Sequence, residues 1–428
     1  MKKTLVFKKS LFTSVVCLII SALLLSSCSF IDQLEADLNK LLSDSMNVTS
    51  QTEPPTVPEA TYSLSDSKEI TAYNYQNISN DVSKRLYTLI GENVLSAYEY
   101  EFSIDGELTS VQIFEALEAY RNDNPQIFWV RSSYEYYNYN GKTYITIDYT
   151  MENDELLNAK REFDRTVEQV IANAPKSATE YEYELFANNY LIDNCEYDEQ
   201  AAQSEGLEGN ENDAYGALVL KKAVCEGYAR AFQLLCNELG VECVNVTGTA
   251  DGEGHQWNCV KLDNEWYQVD VTWNDSEEGK EMFVNDYLNL SDEQMKKTHT
   301  SSKLFADVSV EEFENMDAQC NVFVPKCLGE RFNYYKYNCV TLNDLDNADE
   351  LIAELAKAAA KGEKYFSFVI GDELDFEYAC DQIIDYGYFA NWIDKANSIN
   401  GHSAQLNYEC SVYTKDELRV LTNVLEYY

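Results

Sequence analysis

Cys225, His255 and Asp270 follow one another along the chain, each inside a short motif: Cys225-Glu226-Gly227-Tyr228-Ala229, His255-Gln256-Trp257-Asn258 and Tyr267-Gln268-Val269-Asp270-Val271-Thr272-Trp273. A thiol, an imidazole and a carboxylate are the parts of an activated sulfur nucleophile. The chain holds only three histidines in 428 residues, so finding one beside this thiol is less a matter of chance.

A thiol at neutral pH is mostly protonated, so the chemistry needs a device that makes thiolate. After Cys225, the apolar residues Tyr228, Phe232, Leu235 and Leu239 recur at helical spacing, and Gly240 stands where the helix would end. This predicts a helix opening at Cys225, with the sulfur where backbone N–H groups and the macrodipole favour negative charge. A histidinium partner pushes the same way. Residues 255–262 and 265–271 then read as a hairpin around Asp263-Asn264. With those two residues as the whole loop, Asp270 faces Trp257 and His255 lies two positions along the same face. Diagonal neighbours of this kind are about 7–8 Å apart at the backbone, and a slip of one residue would separate them.

These motifs resemble the transglutaminase-like superfamily, in its bacterial papain-like thiol branch. The matching pieces are Ala223 to Ala229, His255 to Asn258 and Trp266 to Asn274; Asn194 to Asp198, Ala214 to Leu218, and Tyr287 to Asp292 with His299 look like further landmarks. The resemblance covers roughly residues 177–300. It implies an α+β, papain-like core, with a nucleophile helix packed on an antiparallel sheet. It also implies that Cys225 is the nucleophile, His255 the general base and acid, and Asp270 the residue that orients His255. Papain-type proteases use Asn in the third role, and papain-like cell-wall endopeptidases usually carry a second histidine there.

Other residues have less to say. Cys236, Cys243 and Cys259 fall on the predicted helix and strands and are assigned to the core. Trp257 is expected to pack, with a second option as a wall of the substrate cleft; Tyr215 divides equally between cleft and core. His299 and His402 have no partner motif nearby and are assigned surface or core roles. The Cys225 backbone N–H is the one oxyanion donor that such a site would be expected to use. No cofactor and no metal is called for.

Lys2, Lys3, Lys8 and Lys9 precede an apolar run from Leu11 to Leu25, short for a membrane span and suited to a signal-peptide core. The run ends in Leu25-Ser26-Ser27-Cys28, which resembles a bacterial lipoprotein processing box. Residues 1–27 would be removed and Cys28 would carry lipid, anchoring the protein to the cell membrane on its extracytoplasmic face. Residues 28–62 form a tether, and residues 43–62, with Pro54, Pro55 and Pro58, are too polar to fold alone. Residues 31–42 suit a short amphipathic helix. With 32 basic against 74 acidic residues the formal charge is −42, which disfavours nucleic acid and anionic lipid surfaces as partners. The twelve cysteines show no CxxC pair and no zinc spacing.

Two smaller α/β modules flank the core at 63–150 and 301–428, and a bridging helix occupies 151–176. In the first, a helix is expected near 110–121 and a hairpin at 133–139 and 143–149 around Asn140-Gly141; the bridging helix spans 153–173. In the last, strands near 336–342, 364–370 and 405–412 alternate with helices near 346–361, 373–385 and 389–398. The resulting expectation is a thiol enzyme acting on amide bonds of proteins or peptides, including those of the cell envelope. Hydrolysis is preferred because it needs no second organised site. Transfer to an amine, and non-catalytic binding or envelope assembly, are the other readings.

Overall fold

Thr109 and Thr179 each open a helix with a reciprocal cap, in which the threonine takes the N–H of the third helical residue and that residue's side chain returns to the threonine N–H. The computed structural model describes residues 72–96, 101–151, 153–204, 209–275, 285–315, 320–401, 404–408 and 411–428. These described residues all belong to one compact unit. The signal segment, Cys28, the tether with its 31–42 helix, and His402 lie outside the described residues.

In chain order come helix α1 (Asp81–Ser96), strand β1 (Glu101–Asp105), helix α2 (Ser110–Asp123), and strands β2 (Val130–Tyr139) and β3 (Lys142–Tyr149). The strands form an antiparallel sheet in the order β1-β3-β2. Asn140 and Gly141 turn the hairpin at φ 51° and 72°, the left-handed pair that a two-residue loop favours. Helix α3 (Asn153–Ala172) and helix α4 (Glu180–Asn194) follow. Their apolar faces join Leu86, Leu117, Phe128 and Ile145 in one core that runs on into the next layer through Tyr228, Phe232 and Val260. No gap in packing falls at residue 150.

That next layer contains strands β4 (Glu196–Tyr197) and β5 (Lys222–Ala223), helix α5 (Cys225–Glu238), and strands β6 (Glu242–Ala250), β7 (Glu253–Leu262), β8 (Glu265–Val269), β9 (Leu288–Leu290) and β10 (His299–Ser301). The last five make an antiparallel sheet in the order β10-β6-β7-β8-β9. Asp263 and Asn264 are the whole β7–β8 loop, at φ 48° and 69°. The register runs from Leu262↔Glu265 to Asn258↔Val269, as the sequence demanded. Helix α5 covers one face of this sheet. Val244, Val246, Trp257 and Cys259 on the other face are covered by Cys327, Val369, Leu418 and Val420. Burial on both faces explains why β7 reads as a nearly unbroken buried run after His255 instead of alternating.

The final layer has strand β11 (Thr341–Leu342), helix α6 (Asp349–Lys361), strand β12 (Tyr365–Ile370), helices α7 (Phe376–Ile384) and α8 (Tyr388–Asn400), and strands β13 (Val412–Lys415) and β14 (Val420–Val424). The three helices and β12 match the expectation. The strand expected at 336–342 does not form over most of its length. Asn333 instead caps a short helix, Tyr334–Asn338, by accepting from Lys336 N–H, and only Thr341 and Leu342 pair. The expected 405–412 strand is also displaced. The ladder is a hairpin of β13 and β14, whose connection places Arg419 at φ 55°.

Candidate active site

Helix α5 starts at Cys225 because Val224 is extended and no side chain caps it, which leaves the first-turn N–H groups directed toward the sulfur's end of the helix. Gly227 permits this position: a Cβ there would fall 2.6 Å from the Glu211 carbonyl oxygen and 2.7 Å from Ala223 Cβ. Glu226 would place a competing anion in the first turn. Its carboxylate is instead drawn away, with Oε1 accepting from Arg121 Nη2 at 2.9 Å and Arg230 Nε at 3.1 Å. Arg121 also pairs with Glu118 at 2.7 Å, so two arginines and two glutamates neutralise one another in the interior.

The strand that carries His255 is tied to this helix by amides. Asn258 Nδ2 donates to the Ala229 carbonyl at 3.0 Å and to Asn245 Oδ1 at 2.8 Å, and Asn245 Nδ2 donates to Gln233 Oε1 at 2.9 Å. His255 Nε2 donates to Asp270 Oδ2 at 2.6 Å, and His255 is also hydrogen-bonded to Cys225. With Nε2 committed to Asp270, Nδ1 is the ring nitrogen left for the half-buried sulfur. Asp270 ends the β8 ladder by capping the turn Val271–Asn274, Oδ1 accepting from Trp273 N–H at 3.1 Å.

The electrostatics favour an ion pair. Burial alone works against an imidazolium at His255, but the Asp270 charge and hydrogen bond, reinforced by Cys225, carry His255 up to about 10. Burial works against the Asp270 anion too, but the charge and hydrogen bonds of His255 and His299 hold it well below the usual carboxylate range. Elsewhere burial pushes the Cys195 thiol up to about 11 and raises those of Cys236 and Cys243. Those thiols sit in the core, as does Cys259, and they contrast with the His-bonded Cys225. Tyr197, held beside Ala223 by the β4–β5 pair, has its phenol raised by burial and then by neighbouring Cys225.

His299 takes the core option of the two the sequence left open, but it has the partner that the sequence did not find. It is fully buried, and its Nε2 donates to the same Asp270 Oδ2 at 3.0 Å. Its only sequence signal was position after the Tyr287–Asp292 landmark, which carries no geometry. Trp257 packs, as first expected, and Tyr215 takes the core option of its two. Tyr215 is 8% exposed and stacks on Phe128 at 4.8 Å, sealing the joint with the first layer. Trp257 is 2% exposed, with its indole N–H on Gln268 Oε1 at 2.7 Å and its ring 5.1 Å from that of His299. It backs the histidines and is shut off from solvent by the covered sheet face.

The ligand atoms of His255, Asp270 and His299 lie within 4.8 Å of one another, a spacing that invites a metal. Two ligands about 2.0–2.1 Å from a tetrahedral ion would stand about 3.3 Å apart. The 2.6 Å His255–Asp270 contact is therefore a hydrogen bond, not a pair of ligands on one ion.

The profile of the Transglutaminase-like superfamily matches residues 165–271. The kyphoscoliosis peptidases of Mus musculus and Homo sapiens are 33% and 32% identical to this chain over 96 residues, covering 20% of it and 14% of each relative. The chain thus spans about a seventh of the length of these curated relatives. Among solved structures, one described as the crystal structure of a TGase is 18% identical, covers 40% of this chain and 50% of its own, and has a TM-score of 0.25. The helix that presents Cys225 and the hairpin that presents His255 and Asp270 belong to a transglutaminase-like superfamily domain spanning residues 165–271.

Proposed function

We propose that the protein is a membrane-anchored, extracytoplasmic thiol enzyme that hydrolyses amide bonds of proteins or peptides through a thioester on Cys225. The observation that carries this reading is His255, hydrogen-bonded at once to Cys225 and to the buried Asp270. The Cys225 thiolate attacks an amide carbonyl carbon, and the oxygen's developing charge is met by the Cys225 backbone N–H. As the tetrahedral adduct collapses, the C–N bond breaks and His255 gives its Nδ1 proton to the departing amine. Water then attacks the thioester, His255 takes its proton, and the carboxylic acid leaves as the thiolate returns. Asp270 keeps the ring oriented and stabilises the imidazolium throughout. The peptidase name of the mammalian relatives supports hydrolysis over transfer.

The anchor rests on the Leu25–Cys28 box. No described helix is long and apolar enough to cross a membrane. A lipid on Cys28 would hold the enzyme at the bilayer, with cell-envelope peptides among the substrates within reach.

The test incubates the purified protein with peptide libraries and envelope material, with and without a labelled primary alkylamine, and seeks an acyl adduct on Cys225 by mass spectrometry. Peptide cleavage that depends on Cys225 supports the proposal. Amine incorporation without cleavage would replace it with a transferase, and cleavage unchanged in Cys225→Ala would remove it.

A further inference from the structure

One oxygen of Asp270 serves two imidazoles. His255 Nε2 lies 2.6 Å and His299 Nε2 3.0 Å from the same Oδ2. The reaction above uses only the first. His299 has no solvent contact through its side chain. Its ring is walled by Trp273 at 4.6 Å, Trp257 at 5.1 Å and Tyr287 at 5.7 Å. Its other nitrogen, Nδ1, is hydrogen-bonded to the Thr298 hydroxyl at 2.8 Å, and Thr298 is in turn bonded to Tyr287. Both ring nitrogens are thus committed, and Nε2 presents its hydrogen to the Asp270 carboxylate.

The backbone around His299 is built to allow this approach. Strand β10 pairs with the end of β6 through His299↔Ala250 and Ser301↔Gly248. At Gly248 a Cβ would fall 2.1 Å from the Thr300 carbonyl oxygen and 2.7 Å from the Trp257 ring. Glycine therefore lets the edge strand close against β6 while Trp257 backs the two rings.

We infer that His299 is a positioning residue of the thiol site, whose Nε2–H holds the Asp270 carboxylate toward His255. The inference rests on the thiol-enzyme reading and extends the working unit beyond residue 271, where the family match stops, to residue 299. The physical reason lies in how Asp270 is buried. Its Oδ1 has the Trp273 N–H, and its Oδ2 depends on the two histidines. Without His299 the buried anion loses a donor, burial favours the protonated acid, and His255 loses the charge that sustains its imidazolium. The titratable groups facing His299 are Asp270, His255 and Tyr287, and Asp286 and Asp251 act on Tyr287 from behind.

The experiment measures iodoacetamide alkylation of Cys225 in the full chain across pH by peptide mass spectrometry, with thermal unfolding in parallel. Wild type, His299→Ala and His299→Gln are compared. Loss of a hydrogen bond to a charged group should slow His299→Ala about 10- to 100-fold near neutral pH and move the acid limb upward by about one pH unit or more. His299→Gln, whose amide N–H can reach the same oxygen, should recover most of the rate. An unchanged profile in folded His299→Ala, or His299→Gln and His299→Ala equally slow with the acid limb in place, would overturn the inference. If His299→Ala fails to fold, His299→Asn replaces it; an amide too short to reach Asp270 should be slow where Gln is fast, and equality of the two overturns the inference. Failure of the thiol reading itself looks different, because wild-type Cys225 would then titrate like a free thiol near ~8.5.

Discussion

Arg121 Nη2 stands 2.9 Å from Glu226 Oε1, so a helix of the first layer grips the residue that follows the nucleophile. The two side chains are 7% and 4% exposed. Removing one partner of such a pair leaves an uncompensated buried charge, at a cost of about 3–5 kcal/mol. Arg121→Leu should therefore lower the urea midpoint by an amount corresponding to that range. Replacing the more exposed Lys142, paired with Asp105 at 3.2 Å, should leave the midpoint in place.

Asp270→Asn keeps the shape of the site and removes its charge. The amide can also donate toward His255 and impose the wrong tautomer. Turnover is expected to fall by about 10²- to 10⁴-fold, and rapid alkylation of Cys225 below neutral pH should disappear. Stopped assays at saturating peptide, paired with alkylation rates, would show whether both fall together.

The His255–Asp270 pair also makes stability depend on pH. The folded His255 value of about 10 lies above the ordinary ~6.5. Its contribution is complete below pH ~6.5 and is lost as pH rises through about 10. Asp270 is depressed, so its contribution is complete above the ordinary ~3.9 and fades as pH falls into the acid range. The pair therefore supports the fold most fully between about pH 4 and 6.5. Urea midpoints across pH should show a wild-type excess over Asp270→Asn that is widest in this window and shrinks toward pH 10. A pH-independent difference would contradict the assigned charges.

Gly248→Ala tests the approach of the edge strand without touching a charged group. The new methyl meets the Thr300 carbonyl oxygen and the Trp257 ring, and overpacking of this kind costs about 1–3 kcal/mol. Slower Cys225 alkylation should accompany the loss of stability, because β10 carries His299. Gly141→Ala, with open space around its Cβ, serves as the remote control; its φ of 72° makes a small stability loss the only expected effect.

The anchor has a direct assay. Cells given a labelled fatty acid should place label on the protein, and Cys28→Ser should abolish both the label and the membrane fraction. Unlabelled wild-type protein in the medium would indicate ordinary secretion.

Some features were legible because they are local. Helix α5 follows from apolar spacing after Cys225, and Gly240 terminates it at φ 82°. Asp263-Asn264 turns the hairpin because short polar residues tolerate left-handed backbone. With the loop length known, period-two geometry puts His255 and Asp270 on one side of the sheet. The expected strand at 336–342 failed for a local reason as well, since the Asn333 cap competed successfully with β-prone tyrosines.

The sequence by itself determined the order of thiol, imidazole and acid, the elements that carry each, and the register between the last two, because all of these depend on neighbours within one helix or one hairpin. Only the tertiary structure decided that His299 shares the Asp270 oxygen, that Arg121 restrains Glu226, and that Trp257 and Tyr215 lie buried rather than lining a cleft. Those contacts join residues brought together by edge-strand pairing and by layers closing over both sheet faces. Which surfaces meet is set by packing of the whole unit, and no spacing along the chain encodes it.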